Sequence, residues 1–193
     1  SLQQGLMSKF NSFDLPLQDL KLIERIQISD DRGFFTRLFC ENQLAASGWI
    51  KPIKQINYTK TDLKGSVRGM HFQNNPYVEM KMVSCLQGAV YDVAIDLRPN
   101  SPTFLHWHAE ILSADNKRSL LIPEGFAHGF QALEDSSELL YFHSEVYNQS
   151  SESGIHFQDK KINIAWPIDI TQVSERDLSH NYLDQNFKGV TCK

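Results

Sequence analysis

Short apolar or alternating runs, each closed by turn-forming residues, recur along the whole chain and restrict it to a sheet protein. Ala89 to Leu97 alternates and stops before Pro99-Asn100-Ser101-Pro102. Ser119-Leu120-Leu121-Ile122 stops at Pro123-Glu124-Gly125, and Glu138 to Tyr147 is a further run rich in aromatics. Many strands at close spacing with few helical patterns predict a mainly β chain, a sandwich or jelly-roll barrel. Glu41 to Ser47, stopped by Gly48, reads as one short helix, and a second falls within 174–184. No linker or repeat divides the chain, so residues 8–188 are expected to form one domain. Residues 1–7 are set aside as a leader of cloning origin.

A closed barrel lines its interior with every second residue of each strand. Along 138–147 the even positions Leu140, Phe142 and Val146 are apolar, and the odd positions Tyr141, His143, Glu145 and Tyr147 are polar or amphipathic. The even face is then core. The odd face either lines a cavity or meets solvent, as in a one-sided antiparallel sheet.

Composition excludes several classes of partner. The chain carries 19 Lys and Arg against 23 Asp and Glu, a net charge of −4. That argues against a nucleic acid held on a broad basic surface, but not against a small phosphate ligand, which needs only a few local cations. No apolar run approaches the roughly 18 residues of a membrane helix, and no secretory leader pattern is present. Cys40, Cys85 and Cys192 lack metal-ligand spacing and read as reduced thiols, so the expected location is cytoplasmic.

Three clusters carry candidate chemistry. In Val67-Arg68-Gly69-Met70-His71-Phe72-Gln73, followed by Lys81, a histidine supplies a neutral-pH base and an arginine a phosphate clamp. Taken alone, both also fit structural or solvated strand positions. A flat strand places Arg68 and His71 on opposite faces, so a shared pocket requires a bulge or bend at Gly69. The second cluster, Pro123-Glu124-Gly125-Phe126-Ala127-His128, resembles the second cupin motif, whose histidine often binds metal. The first cupin motif is broken, because His71-Phe72-Gln73 lacks the second histidine, so no functional metal is expected. His106-Trp107-His108 contains a histidine pair, but Glu110 follows too soon for that motif. The third cluster is Val173-Ser174-Glu175-Arg176-Asp177. Its acid either orients a histidine base or merely starts a helix.

Together with Asp31-Arg32-Gly33-Phe34-Phe35, Asp92 to Arg98, Ser101 to Phe104 and Leu112 to Arg118, these segments resemble, in order and spacing, the dTDP-4-dehydrorhamnose 3,5-epimerase family of cupin-like proteins. The resemblance spans Ile28 to Asp177. It implies a cofactor-independent isomerase of deoxysugar and polysaccharide biosynthesis, acting on a nucleotide-linked 4-keto-6-deoxyhexose. It implies His71 as the base, Asp177 as its partner, Tyr141 as the acid on the opposite face and Lys81 near the C4 oxygen. It places Arg32, Gln55, Asn57, Arg68, His128, Tyr147, Glu152 and Arg176 at the sugar nucleotide. Family members are dimers in which the first strand crosses over, so Arg32 is expected to complete the neighbour's pocket.

The implied chemistry suits these residue types. A 4-keto sugar is acidic at C3 and C5, and the enolate needs a cation or hydrogen-bond donors. No redox step occurs, and no Gly-x-Gly-x-x-Gly fingerprint is present. The base-reading edge departs from the family. Arg37 replaces a usual Glu, Ile56 an Asp, Tyr58 a His, and Phe142 a common Lys. Arginine only donates, so Arg37 either favours a base with acceptors, such as cytosine, or turns to solvent with dTDP retained. The competing readings are the same chemistry on a CDP- or GDP-sugar, a cupin-like ketoisomerase, a metal-dependent dioxygenase, and a non-catalytic sugar-binding cupin. The last leaves the acid and base residues without a purpose.

Overall fold

The structure is a computed structural model that describes residues 8–192; the segment 1–7 set aside above lies outside the described residues. Among the described residues there are thirteen strands and two one-turn helices. In chain order they are β1 (Phe10–Asp14), β2 (Lys21–Arg25), β3 (Gln27–Asp30), β4 (Gly33–Thr36), α1 (Glu41–Leu44), β5 (Gln55–Thr61), β6 (Val67–Gln73), β7 (Lys81–Gln87), β8 (Ala89–Asp96), β9 (Trp107–Ser113), β10 (Arg118–Ile122), β11 (Phe126–Ala132), β12 (Ser137–His143), β13 (Glu152–Gly154) and α2 (Glu175–Leu178). A six-stranded sheet ordered β1-β2-β10-β7-β12-β5 faces a five-stranded sheet ordered β13-β6-β11-β8-β9. All pairings are antiparallel. This is the mainly β, cupin-like barrel expected.

Leu20, Val83, Leu120, Phe130 and Leu139 fill one end of the space between the sheets. The outer faces are covered too. Leu44 and Trp49, from α1 and the loop after it, pack on Met82, Leu121 and Phe142 of the larger sheet. The C-terminal segment lays Ile162, Val190 and Trp166 over Met70, Val93 and Ile95 of the smaller one. Every residue of β11 is therefore buried, and in β8 only Tyr91 is not. Alternation on β8 separates two covered faces rather than core from solvent.

The first helix forms as α1 plus a 3-10 turn at Ala45–Ser47, closed by Gly48 at φ 112°. The second is only one turn, α2. The strand expected over 138–147 ends at His143. The packed chain continues past 188, since Val190 is buried and its N–H bonds to the Leu97 carbonyl at 2.7 Å. The first strand, β1, pairs with β2 of its own chain. The segment that stands apart is the β3–β4 hairpin, a two-stranded sheet exposing Ile28, Phe34 and Phe35. The three cysteines are free thiols. No described helix is long and apolar enough to cross a membrane.

Candidate active site

The odd face of β12 settles the alternation left open by the sequence. Tyr141 and His143 are buried and line a cavity of about 230 Å³ between the sheets. The smaller sheet contributes Arg68 and His71 from β6 and His128 from β11. The larger contributes Lys81 from β7 and Asn57 from β5. Tyr147 and Glu152 stand at the mouth.

Arg68 and His71 share the cavity because β6 is irregular at Gly69. Gly69 has φ 124°, and the pairing of β6 with β11 slips between His128 and Phe130. A Cβ at Gly69 would lie 2.7 Å from the Gly129 Cα, so only glycine allows this approach. Arg68 is held by its Nε on the Thr61 hydroxyl at 3.1 Å and Nη2 on the Lys60 carbonyl at 3.0 Å.

His71 and Asp177, 106 residues apart in sequence, meet at 2.6 Å through Nε2 and Oδ1. Asp177 belongs to α2, where Ser174 caps the helix by accepting from the Asp177 N–H at 3.1 Å. The Asp177 side chain does not return to the cap. It accepts from the Gly69 N–H at 3.0 Å and is buried at 3% exposure. Asp177 is thus both a helix-start residue and the partner of a histidine. Burial pushes its carboxyl up, but the hydrogen bond and charge of His71 and the Gly69 amide outweigh this and hold it below the ordinary range. Asp177 stays ionised and accepts a hydrogen bond from the Nε2–H of His71, which leaves Nδ1 as the free ring nitrogen.

The opposite wall holds Lys81 and Tyr141. The Lys81 ammonium is 3.5 Å from Glu79, which also accepts from Nδ1 of His143 at 3.0 Å. Nε2 of His143 lies 3.3 Å from the Asn57 amide. Burial drives the Tyr141 phenol well above its ordinary value, so it keeps its proton as a donor. His128 Nε2 bonds to Asp92 at 2.7 Å; burial pushes its imidazole down, only partly offset by Asp92, so the ring is neutral near pH 7.

The remaining expected contacts divide. Gln55 sits at the edge, donating to Asn57 at 3.2 Å and accepting from the Tyr147 N–H at 3.0 Å. Arg176 is ion-paired with Glu152 and lines a groove that adjoins the cavity and shares Arg68 and His71 with it. Arg32 does not reach this cavity. It sits at the tip of the β3–β4 hairpin, exposed and paired with Asp30. Arg37, in the segment after β4, does not line the cavity either. Phe142 points away from it, against Phe39 at 5.2 Å.

Four residues near the site escaped the sequence reading. Asp92 had a usable signal, an acid on an otherwise apolar strand. Glu79 shares strand parity with Lys81, and His143 stood on the polar face of β12. His180, whose ring lies edge-on to His71 at 5.7 Å, had no signal. Its imidazole is pushed down by burial, against the charge of Asp177. The pair at 106–108 forms no metal cluster: His108 bonds Glu110 at 2.7 Å and His106 is exposed.

The sequence model of the dTDP-4-dehydrorhamnose 3,5-epimerase family matches residues 14–185. The chain belongs to that family. A Shigella flexneri dTDP-4-dehydrorhamnose 3,5-epimerase is 40% identical over 179 residues, 92% of this chain and 98% of its own. The crystal structure of the Bacillus anthracis enzyme with TDP and pyrophosphate superposes with TM-score 0.87 at 39% identity, covering 90% of this chain and 99% of that one. A Legionella pneumophila epimerase in complex with dTDP-4-keto-L-rhamnose gives 0.88 at 34%, covering 95% and 100%. This family member is an isomerase that acts on sugar nucleotides.

Proposed function

We propose that the chain inverts C3, C5 or both of a dTDP-linked 4-keto-6-deoxyhexose through an enolate, as a step in making a deoxysugar for polysaccharide. The observation that carries this is the opposition of two walls across one cavity, a histidine–carboxylate pair against a lysine and a protonated tyrosine. Nδ1 of His71 removes the proton alpha to the ketone. Asp177 fixes the tautomer and stabilises the imidazolium. Lys81 meets the enolate oxygen, a contribution of a few kcal/mol for such a donor in a dry site. Tyr141 returns a proton from the other face. No step requires a redox cofactor or a metal. The adjoining groove, with Lys60, Arg68 and Arg176, suits the diphosphate.

The dTDP assignment follows the relatives named above. A structural neighbour from Streptomyces bikiniensis, 29% identical with TM-score 0.81 over 87% of this chain and 85% of its own, is described as a 3'-monoepimerase, so inversion at C3 alone is the second reading. Incubation in deuterium oxide with dTDP-, CDP- and GDP-linked 4-keto-6-deoxyglucose, followed by proton NMR, reads base and position together. Deuterium entering C3 or C5 of the dTDP sugar fastest is the expected result. Preference for the CDP sugar would assign base reading to Arg37. No exchange with any of the three would reject the reading.

We also propose a homodimer. Phe34 is 66% exposed and Phe35 57%, beside Arg32 on a hairpin set apart from the barrel. With β1 retained in its own chain, the hairpin is the segment that carries Arg32 to a second copy's cavity.

A further inference from the structure

Behind His71 the structure holds a second arrangement of ligating atoms. One ring nitrogen each of His71 and His180 and one carboxylate oxygen of Asp177 all lie within 4.8 Å of one another. Nδ1 of His180 is 3.7 Å from the same Asp177 oxygen that His71 Nε2 approaches at 2.6 Å. Neither Asp177 nor His180 lines the cavity. The position of His180 is built rather than incidental. Its ring is seated on Gly154, which stands directly across the β6–β13 ladder from His71. A Cβ on Gly154 would collide with three atoms of that ring. Yet Nδ1 of His180 is buried and makes no hydrogen bond. A buried imidazole nitrogen without a partner, aimed at an ionised carboxylate, is an open ligand position.

We infer that His71, Asp177 and His180 form a site for a zinc-class divalent cation that switches the base off from behind. Two imidazoles and one carboxylate are a zinc donor set, and one poorly suited to magnesium or calcium. Around a tetrahedral zinc, N and O ligands stand roughly 3.3 Å apart. The 2.6 Å contact must open by about 0.7 Å and the 3.7 Å contact close by about 0.4 Å, and the two imidazole nitrogens, within 4.8 Å of each other, must settle to the same spacing. Arg176 is the nearby cation, and Glu152 offsets it. The fourth position falls to water from the adjoining groove, which His71 and Asp177 line.

The consequence for catalysis is a proton count. Without metal, the ring proton of His71 sits on Nε2, bonded to Asp177, and Nδ1 carries the lone pair that accepts the substrate proton. Metal on Nε2 requires that lone pair there. The ring proton moves to Nδ1, no proton is gained or lost, and the neutral ring has no basic nitrogen facing the cavity. The cation lies outside the cavity but beside the groove proposed for the diphosphate, so its effect on the base is read as turnover at saturating substrate.

The kinetic part of this inference rests on His71 being the base; the binding part does not. The test titrates zinc into the protein by calorimetry and follows cobalt(II) by its visible absorption, for the wild type, His180→Asn and His180→Gln. The second variant serves if the first fails to fold. Solvent-exchange kinetics are run alongside. The wild type should bind zinc and give a tetrahedral cobalt spectrum, and zinc should lower kcat at saturating substrate. Magnesium should do neither. Losing a ligand costs no less than losing a residue that merely orients one, so His180→Asn should bind zinc at least about tenfold more weakly. It should also escape inhibition and keep its metal-free kcat within about threefold. Zinc binding unaffected by either variant, or none at all, overturns the site. Zinc binding that depends on His180 but leaves exchange untouched upholds the site and overturns His71 as the base.

Discussion

Two histidines line this cavity side by side, each backed by a carboxylate, and the surroundings of only one suit it to act as a base. His71 and His128 are direct partners across the β6–β11 ladder. Each bonds a carboxylate through Nε2, at 2.6 Å to Asp177 and 2.7 Å to Asp92. The chemistry is the same and the surroundings are not. The His71 side chain is 34% exposed and that of His128 only 6%. A base becomes a cation when it works, and burial penalises that cation. For His128 the penalty outweighs the help from Asp92. The carboxylates differ too. Asp177 comes from a capped helical turn outside the sheets and also accepts from the Gly69 amide. Asp92 comes from the neighbouring strand, fully buried, with one oxygen lacking a partner. What separates the pair suited to base chemistry from the other is therefore access and solvation, not residue type.

The largest effect should come from removing the accessible member. His71→Ala should lower solvent deuterium exchange by about 100- to 10,000-fold, the range for a positioned general base. Exchange and epimerisation should fall together, with circular dichroism unchanged. A folded His71→Ala protein that still exchanges at near wild-type rate would falsify the distinction between the pairs.

The sequence exposed one member of each pair and hid the other, for identifiable reasons. His71 and His128 lie in compact motifs beside glycines, where local geometry leaves a mark. Gly69 announced the bend that lets Arg68 and His71 share a cavity. Asp177 was visible as a cap motif, but its link to a residue 106 positions earlier depends on how the C-terminal segment crosses the small sheet. The strands were legible because turn residues close them. Their burial was not, because α1 and the C-terminal tail cover the outer faces and remove the polar side that alternation implies. His180 left no trace, since its placement depends on space above a glycine on a different strand. Arg32 carries a family motif yet lies outside the cavity, because it sits at the tip of a hairpin that stands apart from the barrel.

A second, selective effect should come from the wall facing both pairs. Tyr141→Phe keeps the ring and removes the donor. On the proposed mechanism enolate formation uses His71 and Lys81, so deuterium should still enter, with retained configuration. Epimerised product should drop about 100-fold or more, the contribution of a positioned acid. NMR in deuterium oxide separates the two quantities. Equal loss of both would place Tyr141 in packing rather than proton return.

The smallest effect should come from the buried pair, and it should be of a different kind. His128→Gln retains an amide that can donate to Asp92, so the buried carboxylate is not stranded. What is lost is one hydrogen bond to substrate from a neutral ring, about 0.5–1.5 kcal/mol, or roughly a two- to tenfold rise in KM. Turnover at saturating substrate should stay within about threefold. A fall in kcat approaching that of His71→Ala would mean that both pairs move protons. Stability supplies an independent readout. The folded value of His128 lies below the ordinary 6.5. The unfolded chain then binds a proton that the folded chain refuses, so wild-type stability falls as pH drops below about 6.5. His128→Gln removes that titration and should reduce the fall of the thermal midpoint between neutral and mildly acidic pH. Asp177 acts in a separate window. Its value is depressed below the ordinary 3.8, so its stabilising contribution, complete above that value, is lost only as pH falls further, through the depressed value. His180, also pushed down by burial, titrates in the same window and is untouched in the variant, so part of the slope should remain; an unchanged slope would show that burial does not keep the His128 ring neutral.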